Sequence, residues 1–123
     1  MEITEEEKLP KDFKEKWVKA LRSGSYPQTS GTLFREYPSE ITSNNAGYCC
    51  LGVAGAVCGL SKERLSGNGS FHEYSEEYLE EYGVPKTLRG GIGDDRIVNH
   101  LVSMNDSEKL SFNEIADWIE ENL

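Results

Sequence analysis

The sequence predicts a mainly helical α+β domain, with about five helices around a central Cys/Gly-rich helix and a small β-hairpin. Three observations carry this. Leu9, Phe13, Trp17 and Leu21 recur every four residues, as on one apolar helix face. Near the other end, Ser111 and Glu114 stand three apart as a capping box before Phe112, Ile115, Ala116, Ile119 and Leu123. Between them "NNAGYCCLGVAGAVCGL", residues 44–60, is the least polar stretch of the chain.

In chain order, residues 1–8 read as a flexible tail and 9–123 as one globular domain. Pro10 suits a first helical turn, where its missing N–H is not needed. Arg22 complements the dipole of the last turn, and Gly24 is a C-terminal stop. Residues 23–47 are rich in Ser, Gly, Pro, Thr and Asn; within them "TLFREY" has strand composition and suggests the hairpin. The cysteine helix spans about 48–60. Gly52, Gly55 and Gly59 weaken it intrinsically and with Ala56 leave it small-sided, so it belongs in the centre, where another element packs very close. "LSGNGSF" reads as a turn. Ser75 caps "EEYLEEYG", which stops at Gly83 before Pro85. "LRGGIGDDR" reads as a mobile glycine-rich loop. From Asp94 or Asp95 a helix carries Ile97, Val98, Leu101, Val102 and Met104 and ends near Asn105. The capped helix closes the chain.

The formal charge is −9, from 22 acidic and 13 basic residues. Such a surface repels a phosphate backbone or an anionic membrane, which argues against direct binding to either. It permits a basic partner, or mimicry of nucleic acid if Glu76, Glu77, Glu80 and Glu81 share a face with Asp117, Glu120 and Glu121. The N-terminus is acidic and unlike a secretory signal, and the longest apolar run is too short for a span of about 20 residues. The expectation is a cytoplasmic protein with reduced thiols.

Cys49, Cys50 and Cys58 admit four readings. A metal site needs three or four ligands, yet there is no C-x-x-C pair and only His72 and His100 could add nitrogen. A disulfide within one helix is badly spaced. A catalytic thiol is more serious: Cys49 and Cys50 stand at a helix N-terminus, which acidifies a thiol, with His100 as base and Asn105 or Asp106 to orient it. The preferred reading is structural. Cys50, Ala54, Val57 and Cys58 share a helical face, and free cysteine packs as a small hydrophobe. No metal and no cofactor is called for.

The loops at 26–28, 44–48 and 104–106 are polar where the flanking helices are apolar. They offer Tyr26, Gln28, Tyr48, Cys49, Asn105 and Asp106 as a ligand-binding set around a concave patch, beside helix-terminal N–H groups suited to an anion. The competing reading is that each residue fixes its own turn. "RGGIG" lacks the lysine and hydroxyl residue of a phosphate loop.

"KALRSGSYPQTSGTL", "GYCCLGVAGAVCGL" and "SMNDSEKLSFNEIADWIEENL" together resemble a group of small uncharacterised proteins of bacteriophage and prophage genomes. These carry A-L-R-S-G-x-Y-x-Q, then Y-C-C-L-G-V, then L-N-D followed by S-F-x-E-I-A-D-x-I-E. The likeness covers about half the chain, in the same order. Met104 departs from the usual leucine, and "SEKL" lengthens the turn before Ser111. The resemblance supplies no catalytic residues. It implies a small phage-type accessory protein acting against host defence. The expected activity is non-catalytic binding, by occluding a host protein or sequestering a small signalling molecule. A cysteine-dependent hydrolase and an acidic nucleic-acid mimic stand as alternatives.

Overall fold

The computed structural model describes residues 2–41, 44–90 and 95–123. Among these are six α-helices: α1 (Lys11–Arg22), α2 (Cys50–Val57), α3 (Lys62–Leu65), α4 (Glu76–Tyr82), α5 (Arg96–Val102) and α6 (Phe112–Asn122). A two-stranded antiparallel sheet pairs β1 (Phe34–Arg35) with β2 (Gly47–Tyr48). The fold is α+β and mainly helical.

The cysteine helix lies at the centre. Every residue from Cys50 to Gly55 is buried, so α2 has no solvent face over its first six residues. Glycine makes this possible at two points. A Cβ on Gly52 would lie 1.8 Å from the Leu33 carbonyl oxygen, and one on Gly55 would lie 2.7 Å from Leu65 Cδ2. The residues that cost α2 helical propensity therefore let Leu33, just before β1, and Leu65 of α3 pack directly on its backbone. From the other side Trp17 on α1, fully buried, donates its indole N–H to the Cys50 carbonyl at 3.0 Å. Trp17, Val18 and Leu21 of α1 and Phe112, Ile115, Ala116 and Ile119 of α6 complete the core.

Several helix ends follow the sequence closely, but α2 is shorter than the expected 48–60: Tyr48 belongs to β2, and the helix runs Cys50–Val57. Ser75 caps α4, which stops at Gly83 in the left-handed conformation, and Ser111 and Glu114 form the expected capping box of α6. The differences are local. The sheet is no tight hairpin, because residues 36–46 separate its strands. Helix α3, capped by Ser61, lies between the cysteine helix and the "LSGNGSF" turn, where no element was expected; four residues are too few to show a period. The N-terminal segment, read as a tail, holds a 3-10 turn at Glu5–Glu7 closed by a Thr4/Glu7 capping box. Glu7 pairs with Arg96, and Thr87 Oγ1 donates to the Glu7 carbonyl at 2.7 Å. The "RGGIG" loop and the Asp94 start fall largely on residues 91–94, outside the described residues; Asp95, the other start expected for α5, stands at its N-cap. No helix among the described residues is long and apolar enough to cross a membrane.

Candidate functional site: the Asn105 knot and the cleft beside it

After α5 the chain does not end its helix at Asn105. It widens into a π-helical turn at Ser103–Ser107. An extra residue per turn rotates the side chains that follow, and Asn105 is turned inward, 2% exposed. There it meets the start of α2. Its Oδ1 accepts from the Cys50 backbone N–H at 3.2 Å and from Gln28 Nε2 at 3.0 Å. Its Nδ2 donates to the Thr29 carbonyl at 2.8 Å and to Asp106 Oδ1 at 2.7 Å. A side-chain amide has two donors and two acceptor positions, and all four are used. Gln28 Nε2 donates again to the Leu110 carbonyl at 2.8 Å, and Asp106 Oδ2 accepts from the Gly31 N–H at 3.1 Å.

Tyr48 and Tyr26 join from the sheet side. Tyr48 exchanges backbone bonds with the Gln28 segment: its N–H donates to the Pro27 carbonyl at 2.7 Å, and its own carbonyl accepts from Thr29 N–H at 2.8 Å. Gly47 permits this approach. It holds φ +145°, and a Cβ there would lie 2.3 Å from the Pro27 carbonyl oxygen. Tyr26 meets the Tyr48 ring edge-on at 5.1 Å. All six residues expected around a ligand thus gather in one place. Gln28, Asn105 and Asp106 among them form a knot of groups bonded to one another and to the backbone, and Tyr26 and Tyr48 join by ring and backbone contacts.

The expected anion site at the α2 N-terminus is also filled from within. Asn105 takes the Cys50 N–H, and Cys49, the N-cap, accepts the Gly52 N–H on its sulfur at 3.4 Å. Burial pushes the Cys49 thiol up to about 12, against the smaller opposing effect of the Gly52 N–H. Burial, with Cys49 beside it, holds Cys50 well above the ordinary thiol value, and burial raises Cys58 to about 11. The helix dipole favours a thiolate here, but loss of water wins.

The hydrolase arrangement of Cys49, Cys50, His100 and Asp106 does not assemble. Cys50 Sγ donates to the Leu101 carbonyl at 3.6 Å. His100 instead packs its ring on Trp118 at 4.7 Å, and no hydrogen bond joins it to either sulfur. Both Asp106 oxygens are occupied by Asn105 and Gly31. The structural reading of the cysteines fits Cys50 and Ala54, which are buried; Val57 and Cys58, nearer the helix end, are only partly so. Among the described residues no three His, Cys, Asp or Glu side chains gather as a metal site would require.

What remains open is a cleft of about 490 Å³ resting on the knot, lined by Gln28, Thr29, Ser30, Asn44, Asn45, Asn105 and Lys109. Thr29, Ser30 and Lys109 escaped the sequence reading. Lys109 carries a signal visible only in three dimensions: it is the one described non-glycine residue with positive φ, at 54°. That conformation costs an L-residue energy and turns the chain from the π-helical turn toward Ser111. Sequence could have flagged only that "SEKL" lengthens this turn.

Fold and site define a small helical α+β domain wound on a buried Cys/Gly helix and pinned by one asparagine. The chain belongs to the family described as a domain of unknown function, DUF8296, whose profile matches residues 9–89. That segment holds Gln28, Tyr48, Cys49 and Cys50 but ends before Asn105 and Asp106. No curated protein and no solved structure matches the chain.

Proposed function

We propose that this is a non-catalytic binding protein, a phage-type accessory protein that acts against host defence in the host cytoplasm by sequestering a small signalling molecule. The observation that carries this reading is the cleft on the Asn105 knot. Its floor is rigid, since every hydrogen-bonding position of the Asn105 amide has a partner. Its rim offers the Asn45 side-chain amide and the Lys109 ammonium, neither with a side-chain partner among the described residues. Few polar groups on a fixed base are what a small-ligand site requires. One cation among amides suits a polar ligand with a single negative charge. The test is calorimetric titration with a panel of cyclic mononucleotides. Binding should be lost in Lys109→Ala with the unfolding transition nearly unchanged. No binding by any member, or equal binding by the variant, would contradict the reading.

A second reading, occlusion of a host protein, is favoured by a groove of about 710 Å³ along α1 and α6, lined by Lys11, Lys14, Glu15, Val18, Lys19, Arg22, Ser23 and Glu120. Four cations against two carboxylates leave it net positive on a −9 chain. The mimic reading has less support. Of its seven carboxylates, Glu76 and Glu80 pair with Arg89, and Asp117 and Glu120 pair with Arg22.

A further inference from the structure

Asn68 and Gly69 form the one Asn-Gly pair in the chain. Such a pair has a chemistry of its own. The glycine nitrogen can attack the asparagine side-chain carbonyl carbon, because glycine has no Cβ to hinder the approach. A bond forms from nitrogen to Cγ, the Cγ–Nδ2 bond breaks, and the glycine N–H proton leaves with Nδ2 as ammonia. Water then opens the five-membered ring to aspartate, or to isoaspartate, whose main chain is one carbon longer. Here the pair lies between α3 and a 3-10 turn at Phe71–Glu73. Gly69 is exposed to water and Asn68 is half-buried.

The groups that the reaction needs are engaged elsewhere. The Gly69 N–H donates to Glu73 Oε2, which also accepts from the Ser70 N–H at 3.3 Å in the capping box of the 3-10 turn. Attack requires the Gly69 nitrogen to give up its proton, and a carboxylate on that N–H opposes the negative charge that would result. Asn68 Nδ2 donates to the Arg64 carbonyl at 3.0 Å and to the Tyr74 hydroxyl at 2.9 Å. Both of its hydrogens are thus used, and the side chain is anchored to α3. The Tyr74 hydroxyl is itself fixed, because it donates to the same Arg64 carbonyl. The Asn68 backbone carbonyl accepts from the Leu33 N–H at 2.7 Å and from the Thr32 hydroxyl at 3.0 Å. Leu33 in turn lays its own carbonyl against Gly52 of α2. An extra main-chain carbon at position 68 would displace the carbonyl that holds Leu33 there.

We propose that Asn68 is a latent site of spontaneous deamidation and that Glu73 holds it in check through the Gly69 N–H. While that bond stands, the pair ages slowly in spite of its sequence. When it is lost, isoaspartate forms at the point that keeps Leu33 against the central helix, and the fold weakens. The site is independent of any ligand held at the Lys109 rim.

The experiment is prolonged incubation of the full chain at pH 8, with peptide mass spectrometry reading the one-dalton gain and the isoaspartate at position 68. The folded chain should react at least about tenfold more slowly than the same chain unfolded in guanidinium chloride. Glu73→Ala should speed the folded chain by about tenfold, as the loss of one hydrogen bond to a charged group allows. Glu73→Gln, which keeps a neutral acceptor, should speed it by less. Asn105→Ala weakens the fold without touching the pair and should leave the rate unchanged. A urea midpoint for each variant shows that the fold persists, and in aged Glu73→Ala it should fall as the modified fraction grows. Three results would each overturn the proposal. The unaltered chain could react as fast folded as unfolded. Folded Glu73 variants could react as slowly as the unaltered chain. Asn105→Ala could speed the reaction as much as Glu73→Ala, which would route it through global unfolding.

Discussion

Asn105 and Arg35 are both polar side chains drawn in from the surface, and the protein treats them in opposite ways. Every hydrogen-bonding position of Asn105 is matched inside the chain, and its partners come from three separate segments: the Gln28–Thr29 segment, the start of α2 and the neighbouring Asp106. Among the described residues Arg35 has one bond, and its buried Nε–H has no partner. Saturation marks a group that holds the fold, because removing it strands several buried partners at once. Incomplete satisfaction marks a group that loses water on folding without a matching bond, so it adds little to the fold. The residues most conspicuous in the sequence proved to be of the first kind.

The largest effect should come from the saturated side. Asn105→Ala removes the partners of the Cys50 N–H and the Thr29 carbonyl and should destabilise the protein by about 3 kcal/mol in urea denaturation. A loss below about 1 kcal/mol would show that water replaces the amide easily and that the knot is looser than its bonds imply. Gly52→Ala should cost a comparable amount, about 2–3 kcal/mol, because its methyl meets the Leu33 carbonyl, which is backbone and cannot swing away. Gly69→Ala, whose methyl would meet nothing nearer than the Glu73 carboxylate at 3.9 Å, is the control and should change little.

The thiols sharpen the same contrast through pH. Cys49, Cys50 and Cys58 all have raised values in the folded chain, so folding favours the protonated thiol. Their contribution is complete below the ordinary value of 9.0 and is lost as the pH rises from there toward about 11 for Cys58 and about 12 for Cys49. Each thiol should steepen the alkaline fall in stability by up to about 1.4 kcal/mol per pH unit in that window. Cys49→Ala should flatten the curve between pH 9 and 11; an unchanged slope would mean that Cys49 ionises freely in the native state.

The smallest effect should have opposite signs in two assays. Lys109→Gly relieves a left-handed residue and should raise stability by about 0.5–1 kcal/mol while weakening any ligand held at the Asn45–Lys109 rim. A variant that loses stability would place Lys109 among the structural residues instead.

How far the sequence carried the account depends on the range of the interaction. The helix faces of α1 and α6, the caps at Ser75 and Ser111, and the stop at Gly83 are local patterns, and they were legible. So was the central position of α2, because a helix so rich in glycine makes sense only where something packs against its backbone. Gathering of Gln28, Tyr48, Cys49, Asn105 and Asp106 was legible as well, from polar loops beside apolar helices. Their role was not. Whether an amide faces a ligand or four internal partners depends on the π-helical turn at Ser103–Ser107, which adds one residue to a turn and leaves no mark in hydrophobic spacing. Arg35 was missed for a related reason. An arginine in "TLFREY" looks like any surface cation until the structure shows that no carboxylate among the described residues pairs with it. The pairing of the α4 and α6 carboxylates was not legible either: Arg22 lies 98 and 95 positions from Glu120 and Asp117, and Arg89, though only 9 to 13 from Glu80 and Glu76, follows the stop of α4 at Gly83.

The central claim is that the Cys49–Asn105 centre holds the fold and does no thiol chemistry. Native-state labelling with a maleimide at pH 8, read by peptide mass spectrometry, tests it most directly. Half-buried Cys58 should react first. Cys49 and Cys50 should react about a hundredfold more slowly or less, at a rate that follows global unfolding as urea is added. Rapid labelling of Cys49 or Cys50 in a protein that remains folded would contradict the claim and return the thiols to candidacy as a reactive site.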